Sequence, residues 1–202
     1  MSKVVFALSA CIALTLFAGF VWQNDKQKSE EAAAENHLTV ASTLDKAVSD
    51  GVEAGALLTQ YVQSGDAALL PQMQAKTDDG VRGLTEALTL AGRDPGSFIQ
   101  TGSQIVQRSG EVIALRQSGD VAGAGAVLTA LGEDYAAFIV VQQEFIQSER
   151  TIAAESTASA DDAGQLSELL LLAAGGVMVI VVCSAIVSVL RREEEPAGTV
   201  PA

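Results

Sequence analysis

The chain has too little of several residue types to perform most kinds of chemistry. Its two cysteines, Cys11 and Cys183, each lie inside a long uncharged run. No disulfide framework and no cysteine-based metal site can be built from them. There is a single histidine, His37, so histidine clusters and most acid–base catalysis lack raw material. Aromatic residues make up only 4% of the chain, too few for a platform on which nucleobases stack. Positive charge is also scarce: 12 basic residues face 25 acidic ones, a formal net charge of -13 that opposes any phosphate backbone. A nucleic-acid partner is thereby excluded. Between positions 23 and 168 proline occurs only at Pro71 and Pro95, and no run of alternating β-branched or aromatic residues suggests a strand. What remains, 49% apolar and 18% charged, lies in the range of folded proteins.

The apolar content is concentrated. Val4 to Trp22 carries no charge, and at ~1.5 Å per residue it reaches close to the ~30 Å of a bilayer's hydrocarbon core. Leu169 to Leu190 does the same, bounded by Glu168 on one side and by Arg191 and Arg192 on the other. Both are expected to span a membrane. Lys3 followed by an apolar run also fits a signal peptide, but Leu16 to Val21 lacks the two small residues, two apart, that cleavage needs. The first run is therefore read as an uncleaved anchor. Leu8-Ser9-Ala10-Cys11 spells a lipoprotein-type box too early to be one, leaving Cys11 as an ordinary membrane-helix residue. Arg191 and Arg192 orient the pair with both termini in the cytoplasm. The expected layout is a bacterial inner-membrane protein with two passes: a cytoplasmic terminus at 1–3, a span at 4–22, an extracytoplasmic domain at 23–168, a span at 169–190 and a cytoplasmic tail at 191–202. The middle stretch holds 22 acidic and 9 basic residues, hence the entire net charge.

Within 23–168 apolar or small residues recur every three or four positions, the spacing of an amphipathic helix. The first stripe is Leu38, Ala41, Leu44, Val48, Val52, Gly55, Leu58 and Val62. The second runs Leu70, Met73, Thr77, Val81, Leu84, Leu88 and Ala91. A third carries Ile99, Gly102, Val106, Gly110 and Ile113. The fourth carries Ala124, Leu128, Leu131, Tyr135, Phe138, Gln142, Phe145, Glu149 and Ile152. The breaks read as helix hairpins: Ser64-Gly65-Asp66, Gly92 with Asp94 and Pro95, and Ser118-Gly119-Asp120. Glycine supplies the left-handed residue that ends one helix, and aspartate accepts from the free amides that start the next. Pro95 suits a first helical position. Such short connections predict an all-α fold, an antiparallel up-down-up-down four-helix bundle whose long first and last helices continue into the two spans. A second helix over about 67 to 92 sets the bundle's height, so core residues are expected from Leu38 to Gly65 and from Asp120 to Ile146. The small, polar stretches Ala32 to Asn36 and Ala153 to Gly164 then form a two-helix stalk, loosened at Asp161, Asp162 and Gly164.

Tyr61, Ser64, Gly65, Asp66, Leu69 and Leu70 form an aromatic residue, a Ser-Gly-Asp turn and paired apolar residues. With two flanking spans, this pattern resembles CHASE-type and chemoreceptor-type four-helix sensor domains, over residues 1 to about 192. The resemblance implies an extracytoplasmic bundle that recognises a small ligand or a partner and shifts the membrane helices. It further implies anionic ligands held by arginines between helices, for which Arg82, Arg108 and Arg116 are the candidates; pairing with nearby surface carboxylates is the competing reading. Sensors of this kind continue into a cytoplasmic output domain, whereas only twelve residues follow Leu190. The expected output is therefore a separate receptor or kinase, reached by a homodimer or a mixed assembly in the bilayer.

No Gly-rich phosphate loop, Ser/His/Asp arrangement or metal-spaced carboxylate–histidine group occurs, so no enzyme activity, cofactor or metal is expected. His37 is read as solvated, and Asp78-Asp79 and Glu133-Asp134 as solvated faces. The function expected is a membrane-anchored signal-relay module. The alternative is a structural or accessory subunit of a larger envelope complex, with no small-molecule ligand.

Overall fold

A computed structural model describes residues 3–93 and 96–193, with the side chains of 3–10, 96, 97, 99 and 185–193 left out. Asp94 and Pro95 of the middle turn, and the side chains of Val4 to Ala10, Ile99, Arg191 and Arg192, lie outside the described residues. Among the described residues there are four α-helices and no strand: α1 (Lys3–Ser64), α2 (Leu69–Leu90), α3 (Gly96–Gln117) and α4 (Val121–Glu193). The chain is all-α.

The turns explain where the helices stop. Gly65, Gly92 and Gly119 have φ of 73°, 64° and 90°, the left-handed region in which a Cβ clashes with its own backbone. At Gly92 the chain closes with Arg93 N donating to Leu88 O at 3.0 Å, and at Gly119 with Asp120 N donating to Leu115 O at 3.0 Å. These bonds occupy carbonyls that the helix ends leave free. The two Ser-Gly-Asp turns then diverge. Asp120 Oδ1 accepts from Gly123 N at 2.8 Å, a helix cap, and α4 starts at the next residue. Asp66 Oδ1 accepts from Ala68 N at 2.9 Å instead, a turn within the loop, and α2 waits until Leu69. Pro71 accounts for the delay. A helix begun at residue 67 would need the amide of residue 71 as an intrahelical donor, and proline has none; begun at Leu69, it puts Pro71 among the four amides with no intrahelical partner.

Two compact units make up the chain: residues 33–155, and the segments before 33 and after 155 together. In the 33–155 unit the core falls into two clusters. One gathers Val40, Ala41, Leu44, Ala47 and Val48 of α1, Leu84, Ala87 and Leu88 of α2, and Phe138, Phe145 and Ile146 of α4. The other gathers Ala54, Leu58, Tyr61 and Val62 of α1 with Met73, Val112, Ala124 and Leu131. Ile105 of α3 packs against both. Ion pairs join the helices around them: Lys76 to Asp50 at 2.9 Å, Arg150 to Asp45, and Arg108 to Asp134. Four large apolar stripe residues depart from expectation: Leu38 is 53% exposed, Val52 49%, Val81 47% and Val106 41%. Leu38 precedes the first buried cluster residue, Val40, and at that level the burial passes to Ala34 and Val40.

In the other unit α1 and α4 are in contact. A Cβ on Gly19 would stand 3.3 Å from Leu170, and one on Gly164 would stand 3.2 Å from Gln27. Ala160, Ala163 and Ser167 of α4 and Gln23 of α1 are buried there, so the contacting face of α4 carries small residues at helical spacing, with Leu170 beyond them against Gly19. The helix runs unbroken through Asp161, Asp162 and Gly164, where a loosening was expected. Among the described residues one helix, over Val121–Ser184, contains a stretch long and apolar enough to cross a membrane. Its apolar side chains are exposed, Leu172 by 72% and Ile180 by 66%.

Candidate functional site

The three arginines singled out from the sequence do not come together around one space. Arg82 pairs with Asp79 in its own helix at 2.6 Å and lines clefts beside α2. Arg108 pairs with Asp134 and lines a different cleft, between α3 and α4. Arg116 donates from Nε to the Val62 carbonyl at 2.9 Å and lies against Gly65, so it ties the end of α3 to the end of α1. Each of the three already has a partner within the chain. The turn residues Gly65, Asp66, Gly92, Gly119 and Asp120 serve the helix ends as described above, while Ser64 Oγ accepts from Asp66 N at 3.1 Å and Ser118 Oγ donates to the Leu115 carbonyl at 2.8 Å.

A second group was not anticipated. Glu149 is 2% exposed, and its carboxylate meets His37 Nδ1 at 2.6 Å and an Arg93 nitrogen at 3.6 Å. Arg93 also stands over the Phe145 ring, 4.1 Å from its centroid. His37 is thus a partly buried partner of a carboxylate rather than a solvated residue. The cluster links α1, the segment after α2, and α4, and its composition suits holding these together more than reacting with anything. Lys76, between Asp50 and Glu53 at 2.9 and 2.7 Å, is a third such tie. Hydrogen bonds to these two carboxylates hold its ammonium protonated well above the usual lysine range.

Between the two core clusters lies a cavity of about 420 Å³, lined from all four helices. Its size follows from glycine. Gly51 and Gly55 of α1, Gly80 of α2, Gly102 of α3 and Gly132 of α4 all line it. A Cβ at Gly55, Gly102 or Gly132 would meet nothing within 4 Å, so at these positions the missing side chain is open space. Gly51 is different, because a Cβ there would collide with the Tyr135 hydroxyl. Val52, Val81 and Val106, exposed despite their stripe positions, also line the cavity.

Among the described residues the lining includes no charged side chain, and most of its hydroxyls are engaged locally. Thr59, Thr77 and Ser109 each donate to the carbonyl four residues back in their own helix. Two polar groups remain. The Tyr135 hydroxyl reaches the Val48 carbonyl only at 3.5 Å, the limit of a hydrogen bond, and burial pushes its pKa up to about 12. Gln142 is 3% exposed, and its Oε1 is buried with no hydrogen-bond partner. A buried amide oxygen left unpaired costs free energy, and this one lies out of reach of a water molecule.

The sequence carried a signal for this site: Gln142 and Glu149 occupy apolar-stripe positions of the fourth helix, where a polar side chain must be buried. The glycines carried none singly, since their coincidence at one level is a property of four helices together.

By these features the chain is an all-α protein with, among the described residues, one helix long and apolar enough to cross a membrane, and with a cavity-bearing helical unit. It matches no family model, no curated protein and no solved structure.

Proposed function

We propose that the chain is a membrane-anchored, sensor-like relay module. In this reading residues 33–155 form an antiparallel up-down-up-down four-helix bundle outside the cytoplasm, and the runs 4–22 and 169–190 are two passes through the cytoplasmic membrane. A ligand or partner engages the bundle, and a small piston, tilt or rotation of α4 carries the event to a receptor or kinase partner. The contact pattern supports the antiparallel arrangement. Asp45 meets Arg150 while Gly51 meets Tyr135, and Asp50 meets Lys76 while Ala47 lies against Gly80 and Gly83. As residue numbers rise on α1 they fall on its neighbours.

The observation that carries the relay reading is the continuity of α4. One unbroken helix, Val121–Glu193, contains core residues of the 33–155 unit, Leu131, Phe138 and Ile146, and the apolar run at 169–190. A hinge would absorb a displacement that a continuous hydrogen-bonded helix transmits.

Two measurements test this. Protease added to right-side-out vesicles is expected to cut within 23–168, and an untouched central region overturns the topology. Photocrosslinking from exposed positions 140 and 141 on α4 in intact cells is expected to capture a receptor- or kinase-type partner in substoichiometric amounts. Recovery in fixed stoichiometry with a large envelope assembly would support the accessory-subunit alternative instead.

A further inference from the structure

The cavity between the two core clusters is a poor place for water and a worse one for an ion. Filling its 420 Å³ with water takes on the order of ten molecules, each wanting two to four polar partners. The walls offer few. Thr59, Thr77 and Ser109 have given their protons to carbonyls of their own helices, and Gln142 Oε1 is closed off from water. Leu58, Met73, Leu84, Leu131 and Phe138, all buried, supply hydrocarbon instead. Three more apolar side chains line the same space from three different helices: Val52 of α1, Val81 of α2 and Val106 of α3. Each is more than 40% exposed, so apolar surface is left there for a molecule to cover. An ion of either sign would lose its hydration without gaining a countercharge, because the described lining has neither a basic nor an acidic side chain. The surplus of 22 acidic over 9 basic residues in 23–168 opposes an anion further.

We propose that this cavity binds an uncharged, predominantly hydrocarbon small molecule, and not the anion that the arginines suggested. Its volume lies in the range of sites that enclose such molecules. The inference names the ligand class of the sensor-like module and rests on that reading for its purpose, whereas the site requires only the 33–155 unit. Covering the walls supplies the affinity, and the lack of a countercharge sets the selectivity.

The chain carries its own reporters for the test. Met73 is buried and lines the cavity, while Met178 lies in the apolar run 169–190 and is 53% exposed. The full chain, isotope-labelled at its methionine methyls and held in nanodiscs, is titrated with naphthalene at neutral pH and followed by NMR. A Met178→Leu variant assigns the signals. The Met73 methyl is expected to shift saturably and to show nuclear Overhauser contacts with naphthalene, while Met178 shifts in proportion to the amount added, as lipid partition requires. The charged analogues 2-naphthoate and 2-naphthylmethylammonium are expected to act on Met73 more weakly by a factor of about ten or more, the cost of desolvating an unpaired charge. A Met73 signal that stays still, or that only follows Met178 without saturating, overturns the proposal. So does a charged analogue that binds as tightly as naphthalene. Photocrosslinking from positions 140 and 141, with and without naphthalene, separates the two readings. Saturation at Met73 with unchanged partner capture would sink the relay and leave the site standing; partner capture with an unresponsive Met73 would do the reverse.

Discussion

At the scale of single residues, the buried carboxylate of Glu149 is the most exacting group in the chain. Burying an ion costs several kcal/mol unless its partners stay in place. His37→Ala removes the partner at 2.6 Å and leaves the carboxylate buried with Arg93 at 3.6 Å, so a destabilisation of about 2–3 kcal/mol is expected. Glu149→Leu removes the charge and its requirement together, while His37 and Arg93 are exposed enough to be rehydrated; it should cost no more than His37→Ala. Urea titration of the full chain in detergent, followed by circular dichroism, checks the order, and a Glu149→Leu clearly worse than His37→Ala refutes it. Tyr135 gives a pH-dependent counterpart. Its phenol ionises near 10 when unfolded and near 12 when folded, so between those values the unfolded state has released a proton that the folded state still holds. Stability present below pH 10 is therefore lost as pH rises toward 12, by about 1–2 kcal/mol after allowance for partial exposure. Lys76, whose folded pKa is also raised, adds a loss in the same direction above the ordinary lysine value. Comparing Tyr135→Phe with wild type across pH 9 to 12 isolates the tyrosine's share, and parallel curves would mean that it has none.

Elements are where the sequence was most legible and where its blind spot is clearest. The four helices followed from a spacing of three and four, and Leu44, Val48, Leu58, Val62, Met73, Leu84 and Leu88 are buried as that spacing requires. Periodicity assigns a face, though, and says nothing of what stands opposite. Val52, Val81 and Val106 lie on the correct faces and remain exposed, because they line the level at which every helix contributes glycine to the cavity. The pairing of His37 with Glu149, 112 residues apart, was hidden for the same reason, as was the shift of α2's start, which Pro71 sets from beyond the turn motif. Two kinds of glycine should consequently respond in opposite ways. Gly119→Ala, at φ 90°, should cost about 1–2 kcal/mol. Gly102→Ala and Gly132→Ala, helical and facing open space, should each stabilise by about 0.5–1 kcal/mol. Among the turn aspartates, Asp120→Ala should cost about 1 kcal/mol as the loss of a true cap, and Asp66→Ala less. Thermal melts of the five variants would decide, and a uniform response would show that local backbone geometry is not what distinguishes these positions.

For the whole molecule, the two native cysteines report on the membrane reading without any substitution. Both thiols are exposed on the surface of the folded chain, Cys11 within the first apolar run and Cys183 within the second. A polymer-linked maleimide, which cannot enter hydrocarbon, is expected to leave both unmodified in sealed or open vesicles and to react with both once detergent replaces the bilayer. Rapid labelling of either in intact vesicles would place that helix in water. The glycine level between the two core clusters has a mechanical consequence as well. A fold with unfilled volume at mid-height occupies more space than its atoms need, and collapse of that space on unfolding shrinks the system. Hydrostatic compression should thus melt the 33–155 unit at lower pressure without naphthalene than with it, making the packing defect a weak point under load.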